Sequence, residues 1–287
     1  MSPLKNFIRV LRPKHWVKNM FLFAAPFFSG QLLSRETLHI APFAFLAFSF
    51  AASASYIIND ITDRKTDQLH PDKRQRPIAS GELSLVAGLG LTAALLVVAA
   101  ALAYFIDYAF FAYIIVYLVI QAFYSIYLKS TAVVDIFCIA SGFVVRVLAG
   151  GAAFAVTVSD WLFLAMFMIS LMLATGKRIG EFKLLHSEAV AHRESLSGFT
   201  PALLNDILLI TSASSLVFYA IYTIEQYKNF IYTVPIVTFG LFRYILLAKD
   251  GRGDPTDAMT ADMWLAVTVM FWLLSVGIIR YGRLGVN

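Results

Sequence analysis

An all-α membrane helix bundle of about nine transmembrane helices, forming a single integral membrane domain over residues 1–287, is the fold class this sequence predicts. Three observations predict it. Hydrophobic residues make up 59% of the chain and charged ones only 14%, where a soluble domain is nearer half apolar and a quarter charged. The apolar residues gather into runs of the roughly 20 residues that a spanning helix needs. The lysines and arginines fall on alternate connections between those runs, as positive-inside topology requires. An open strand cannot satisfy its backbone in lipid, so every run reads as helix.

Taken in order, residues 1–18 form a basic segment, with Lys5, Arg9, Arg12, Lys14 and Lys18 spaced like a helix lying on the membrane face. The apolar stretch behind it has the length of a span and no small-residue cleavage site, so it does not read as a signal peptide. Spans are expected near 19–33, 40–58, 84–105, 109–127, 132–155, 160–176, 205–224, 230–248 and 263–281. The fifth is interrupted by Asp135 and Arg146. Of the basic residues in connections, 17 fall on the N-terminal side of the membrane against 4 (Arg35, Lys228, Arg280, Arg283) on the other. That asymmetry places the N-terminus in the cytoplasm of a cell with an inner (plasma) membrane and the C-terminus outside. The net charge of +5 is thereby explained by lipid-facing helix ends, and nucleic acid is excluded as a partner. The single cysteine, Cys138, allows no internal disulfide. Three long polar connections, about 59–83, 177–204 and 249–262, lie on the cytoplasmic side, so function is expected on that face.

The strongest chemical signal is Asn59-Asp60-Ile61-Thr62-Asp63-Arg64-Lys65-Thr66-Asp67 at the end of the second span. Asn59, Asp63 and Asp67 stand at i, i+4 and i+8 on one helix face, with Ser55 extending the stripe into the membrane. Stacked oxygen donors of this kind repel one another unless a cation sits between them. Hard oxygen ligands suit Mg²⁺, which shares its shell with water and substrate phosphates. A solvated acidic turn is the bland alternative. The run His70-Pro71-Asp72-Lys73-Arg74-Gln75-Arg76-Pro77-Ile78-Ala79-Ser80-Gly81 follows at once, and its basic side chains suit phosphate oxygens. An ordinary positive-inside loop is its alternative. Together the two motifs make a metal–diphosphate site, with Asn59, Asp63 and Asp67 as metal ligands and Asp60, Lys73, Arg74 and Arg76 as substrate contacts.

Asp135 and Arg146 lie 11 residues apart, about three turns, so they share a face with Gly142. Ionisable groups within a span face a cavity or each other, which leaves both an ion-pair role and a substrate role open. Lys177 and Glu181 are an i, i+4 pair at the head of the second long connection, readable either as a surface salt bridge or as part of a lid. Lys18 and Asn19 sit where the first span meets the headgroups, beside Lys14 and Trp16, which read as interfacial anchors. His15, His39, His186 and His192 have no ligand spacing.

At these residues the chain resembles the UbiA-type intramembrane prenyltransferase superfamily, and within it the polyprenyl-phosphate phosphoribosyltransferases. The resemblance runs from Arg12-Pro13-Lys14-His15-Trp16-Val17-Lys18-Asn19 through Ala25-Pro26-Phe27-Phe28 and both motifs above. It continues to Tyr124-Ser125-Ile126-Tyr127-Leu128-Lys129 with Asp135, Gly142-Phe143-Val144-Val145-Arg146, Gly176-Lys177-Arg178 with Glu181, and Asp254-Pro255 with Asp262. The aromatic prenyltransferases of that superfamily carry a second paired aspartate motif. Here Asp135 is followed at i+4 by Ile139, and Lys129, Asp135 and Arg146 stand in its place. A site gripping an additional phosphate would gain from those cations. The resemblance therefore implies a glycosyltransferase: Mg²⁺-dependent transfer of 5-phosphoribose from phosphoribosyl diphosphate to a polyprenyl phosphate, releasing diphosphate. It implies Asp63, Asp67, Lys129 and Asp135 as catalytic residues. Lys18, Asn19, Tyr124, Arg146, Lys177, Arg178 and Glu181 join the substrate contacts, and the product would serve cell-envelope biosynthesis. The alternatives are a prenyltransferase moving a prenyl group from its diphosphate onto an aromatic or lipid acceptor, and a small membrane transporter. The transporter would spread its polar residues through the bilayer depth, whereas here they crowd one face.

Overall fold

Polar caps at the edges of apolar runs decide where the long helices begin. In the computed structural model, which describes residues 3–69, 73–185 and 198–282, Ser34 Oγ accepts from Thr37 N at 3.1 Å and Ser84 Oγ from Ala87 N at 3.2 Å. Asp107 Oδ1 accepts from Phe110 N at 3.0 Å, Thr200 Oγ1 from Leu203 N at 3.1 Å and Asp262 Oδ1 from Leu265 N at 2.7 Å. Each satisfies an amide that the first helical turn leaves without an intrahelical partner. The residues that follow are helical because in lipid the backbone has no other place to put its hydrogen bonds.

The elements are α1 (Pro3–Leu11), a 3₁₀ helix (Pro13–Phe23), α2 (Ala24–Ser29), α3 (Arg35–Thr62), α4 (Arg64–Leu69), α5 (Leu85–Ile106), α6 (Tyr108–Ile126) and α7 (Val134–Ala153). They continue with α8 (Asp160–Leu185), α9 (Pro201–Gln226), α10 (Val234–Lys249), α11 (Pro255–Ala261) and α12 (Met263–Tyr281). No strand occurs among the described residues. Among the described residues eight helical segments are long and apolar enough to cross a membrane: α3, α5, α6, α7, α8, α9, α12, and α10 together with the 3₁₀ turn that leads into it, Asn229–Lys249. The expected helical span at 19–33 takes another form. Residues 19–29 of it are divided between the 3₁₀ helix of 11 residues and α2 of 6, and residues 30–33 form the turn that follows. Pro26 cannot donate to the carbonyl four residues back, which disfavours a straight α-helix through this stretch. The 3₁₀ segment rises about 2.0 Å per residue and α2 about 1.5 Å, together roughly 31 Å, which is the thickness of a hydrocarbon core.

The described chain divides into two compact units. The first comprises residues 1–26, 31–128 and 145–157. Its centre is the small-residue face of α3, where Ala44, Ala47, Ala51 and Ala54 are fully buried and let neighbouring backbones come close. Val10 of α1, Ile57 of α3, Ile78 and Leu83 of the connection after α4, and Leu95 of α5 form one apolar cluster. That cluster pins the basic connection onto the motif end of α3. At the other contact, a Cβ on Gly150 of α7 would collide with the carbonyl oxygen of Leu22, so only glycine lets the two backbones abut.

The second unit comprises residues 27–30, 129–144 and 158–287. Ile136, Leu171, Met172, Leu204, Leu208, Leu241, Leu247 and Leu265 fill one core. Phe28, Leu162, Tyr219, Tyr222, Phe230 and Val276 fill a second. The segment Gly251–Gly253 is seated on α8. A Cβ on Gly180 would stand 2.9 Å from the Gly251 carbonyl oxygen, and one on Gly253 would overlap the Gly176 carbonyl.

Candidate functional site

In the first unit the acidic stripe keeps its register across a break in the helix. α3 ends at Thr62, yet Asp63 N donates to Asn59 O at 2.8 Å and Asp67 N to Asp63 O at 2.8 Å. Asn59, Asp63 and Asp67 therefore follow one another at four-residue steps, as the spacing predicts. Asn59 Nδ2 donates to Asp63 Oδ2 at 3.1 Å. Asp67 is instead turned into the protein, 4% exposed, with Arg76 Nη1 at 2.6 Å from its Oδ2. Burial pushes the Asp67 carboxyl up from its ordinary value, against the opposing pull of Arg76 and the charge of Lys73.

Asp60 faces the opposite way from a solvated carboxylate. It is 1% exposed, accepts from Arg76 Nη1 at 3.0 Å, and is also bound by Arg12. Arg12 stands between α1 and Pro13 with φ 52° and ψ 57°, a left-handed conformation that costs a non-glycine residue on the order of 1 kcal/mol or more. The turn aims its guanidinium at Asp60 and lays it 5.3 Å over the Tyr56 ring. Around this centre Arg9 bridges to Glu82 at 2.9 Å and to the Gln75 carbonyl at 2.7 Å. Gln68 Nε2 reaches the Ala79 carbonyl at 3.0 Å, so the connection is tied to α4. Lys73 is half-buried and Arg74 exposed. His70, Pro71 and Asp72 lie outside the described residues.

One turn inward from Asn59, Ser55 reaches an apolar recess of about 330 Å³ whose walls include Ile58, Leu96, Leu118, Gln121 and Ser125. Tyr124 is half-buried on α6 and Lys129 half-buried in the short turn after it.

Deeper in the same unit, Asn19 and Arg146 are brought together, an association the sequence did not announce. Arg146 Nε donates to Asn19 Oδ1 at 2.7 Å, and Asn19 Nδ2 to Ser49 Oγ at 2.9 Å. The Arg146 guanidinium lies 4.8 Å over the Tyr117 ring and 5.3 Å over Phe48. Asn19 is 1% and Arg146 4% exposed. Lys18, beside Asn19, is half-buried.

Asp135 and Arg146 share a face of α7, but three turns is about 16 Å along the axis, and each has its own partner. In the second unit, Arg178 of α8 holds Asp135, with Nε 2.5 Å from Oδ2 and Nη2 3.1 Å from Oδ1. Both side chains are fully buried. Arg178 also pairs with Glu181 one turn on. Lys177 is half-buried beside them. The seated segment Gly251–Gly253 packs on Gly176 and Gly180, either side of these residues, and Tyr244 locks it there by donating to the Gly253 carbonyl at 2.7 Å. Arg243 grips Asp262 with both arms, Nε to Oδ1 at 3.0 Å and Nη2 to Oδ2 at 2.6 Å. Those bonds and the Leu265 amide hold the Asp262 carboxyl down at about 2. Residues 186–197, with His186, His192 and Arg193, lie outside the described residues.

Sequence reasoning missed Arg12 as a clamp, Tyr244 as a lock, and the Gly176–Gly180 seat. A basic residue immediately before a proline at a helix end, and a Gly-x-x-x-Gly step beside charged residues, were the available signals.

The donor set suits a divalent cation. Asn59 and Asp63 present hard oxygens one turn apart at a helix end, and the neighbouring Asp60 and Asp67 are held by the Arg76 guanidinium. Among the described residues no three carboxylate, histidine or cysteine side chains enclose a metal by themselves. A hard cation can be held by one or two carboxylates and completed by water and phosphate.

Comparison with known proteins gives a consistent picture. The family model described as "UbiA prenyltransferase family" matches residues 20–266. The decaprenyl-phosphate phosphoribosyltransferase of Corynebacterium glutamicum is 32% identical, covering 96% of this chain and 88% of the relative. The enzyme of the same name from Mycobacterium tuberculosis is 32% identical, covering 94% and 92%. Among solved structures, a UbiA homolog from Archaeoglobus fulgidus bound to DMAPP and Mg²⁺ superposes with a TM-score of 0.77 at 19% identity, covering 96% of this chain and 99% of that one.

Proposed function

Because the chain belongs to the UbiA prenyltransferase family, we propose that it is a membrane transferase carrying 5-phosphoribose from phosphoribosyl diphosphate to a polyprenyl phosphate. The observation that carries this reading is the occupant of Asp135. A prenyl-diphosphate site of the two-metal kind would want a second carboxylate beside it. Here the partner is the buried Arg178, and likeness to named phosphoribosyltransferases extends over nearly the whole chain.

In the reaction a phosphate oxygen of the lipid attacks the anomeric carbon, the bond from that carbon to the diphosphate oxygen breaks, and diphosphate leaves with the electron pair. The acceptor is already anionic, so no strong base is needed. Bound Mg²⁺ would supply charge neutralisation of the departing diphosphate. Asn59 and Asp63 would hold it, with Asp67 one turn on. Arg76 and Lys73 bind donor phosphate oxygens, Arg74 adds charge from the exposed side, and Asp60 orients Arg76. In the second unit Arg178, Lys177 and Glu181 form a charged cluster fixed by Asp135. Lys129 is proposed for a remaining phosphate. Arg146 and Asn19 are proposed to shape the bundle interior. The recess beside Ser55 suits the first isoprene units of the acceptor. Most of the rate enhancement is then electrostatic positioning. The charge ladder supports a plasma-membrane location with this motif end facing the cytoplasm.

The test is purified protein in detergent with Mg²⁺, radiolabelled phosphoribosyl diphosphate and polyprenyl phosphates of several lengths, following label into the organic phase. Label that extracts with lipid, and is lost with a chelator and in Asp63→Ala, is expected. No transfer at any chain length, with turnover of a prenyl diphosphate and an aromatic acid instead, would overturn the reading.

A further inference from the structure

We infer that Arg76 is an exchangeable counter-ion, which must release Asp67 before a divalent cation can take that carboxylate, so that cation and diphosphate each ease the other's binding. The inference rests on the metal–diphosphate reading of this site.

Its geometry is a shared nitrogen. Arg76 Nη1 lies 3.0 Å from Asp60 Oδ1 and 2.6 Å from Asp67 Oδ2. The two carboxylates are not in the same position if that arginine swings away. Asp60 keeps Arg12. Asp67, with a side chain only 5% exposed, keeps the charge of Lys73 but loses its hydrogen-bonded partner, and a buried carboxylate in that position is destabilised until another cation takes its place. Asp67 also stands one turn beyond the Asn59–Asp63 pair, on the same stripe. A cation held by that pair is the natural replacement.

Arg76 itself is free to travel. Its side chain is 25% exposed, and it follows the short Lys73–Gln75 turn rather than a long helix. Its planar fork matches a phosphate edge in a way a carboxylate shared at one nitrogen does not exploit. Diphosphate that draws Arg76 outward clears Asp67 for the cation. A cation on Asp67 pushes Arg76 toward diphosphate. Coupling of this kind is reciprocal by thermodynamic necessity.

The experiment is Mn²⁺ binding to the full chain in detergent, read by electron paramagnetic resonance, with and without inorganic pyrophosphate and corrected for the Mn²⁺–pyrophosphate complex in solution. In the wild type, pyrophosphate should tighten Mn²⁺ by about tenfold, within the usual range of coupling between sites. In Arg76→Gln, Mn²⁺ alone should bind about five- to tenfold more tightly, and the tightening by pyrophosphate should shrink to the part that direct phosphate ligation of the cation supplies. Arg76→Lys, which keeps the charge without the fork, should move both quantities in the same direction but less, and stands in if the glutamine variant does not fold. Mn²⁺ affinity unchanged or weakened in Arg76→Gln, or in the lysine variant when that alone folds, overturns the exchange while leaving the site itself intact. A wild type that binds neither Mn²⁺ nor pyrophosphate overturns the site reading and the exchange with it.

Discussion

Replacing Asp135 with leucine should cost about 3 kcal/mol of stability, and replacing Arg178 with methionine as well should restore most of it. Both side chains are fully buried, with contacts of 2.5 and 3.1 Å between them. Removing one member of such a pair typically costs about 3–5 kcal/mol, because the survivor is a buried charge without compensation. The lower end applies to Asp135→Leu, since Arg178 retains Glu181. Arg178→Met removes the cation from both carboxylates and should cost at least as much. In the double variant no charge of the pair remains, and a well-packed apolar replacement of a buried ion pair is often neutral. The coupling energy should therefore be about 3 kcal/mol or more, far outside the few tenths expected of independent sites. Equilibrium unfolding of the four proteins in mixed micelles measures the cycle. Singles whose costs simply add in the double would refute the reasoning. A stable double variant that lacks the proposed transferase activity would separate a role in chemistry from a role in folding.

Gly150→Ala tests two opposed effects, since alanine in a helix interior is worth up to about 1 kcal/mol over glycine while overpacking costs about 1–3 kcal/mol. The collision with the Leu22 carbonyl makes overpacking win, so thermal unfolding in detergent should come at a lower temperature. Tyr244→Phe removes the donor to the Gly253 carbonyl and should cost about 1–3 kcal/mol, the penalty of an unsatisfied buried acceptor, with faster proteolysis in 249–262. Asp262 is held near 2 against an ordinary 3.8. A carboxylate depressed on folding stabilises above its unfolded value and loses that contribution as pH falls from about 4 to about 2. Asp262→Asn should flatten the pH dependence of unfolding in that window, and an unchanged profile would dismiss the Arg243 pairing.

The helical architecture was legible because lipid leaves the backbone few choices. The caps Ser84 and Asp107 stand where hydropathy alone would place the ends, whereas Ser34 starts its helix at Arg35, ahead of the apolar run expected from about residue 40. The stripe Asn59–Asp63–Asp67 was legible because four-residue spacing survives a helix break when the i to i+4 bonds survive it. What the sequence withheld were partners. Asp135 and Arg146 share a face and invite pairing, yet rise along the axis separates them, and each finds a residue 43 or 127 positions away. The 3₁₀ form of Pro13–Phe23 was equally hidden, since hydropathy counts residues and cannot see rise per residue. Arg12 needed a left-handed turn to reach Asp60, and nothing in periodicity encodes that.

The placement of Arg146 bears on how the protein is made. An arginine near the middle of a spanning helix opposes insertion by about 2.5–3.5 kcal/mol when the helix stands alone. Its partners Asn19, Phe48 and Tyr117 all precede α7 in the chain. As α7 leaves the ribosome, the groups that receive its cation are already in the bilayer, whereas Asp135 must wait for Arg178 on α8. Biogenesis thus has a direction. Truncations ending after α7 should retain that helix in the membrane only when the first 126 residues are present, and the anionic end should settle only once α8 has been threaded.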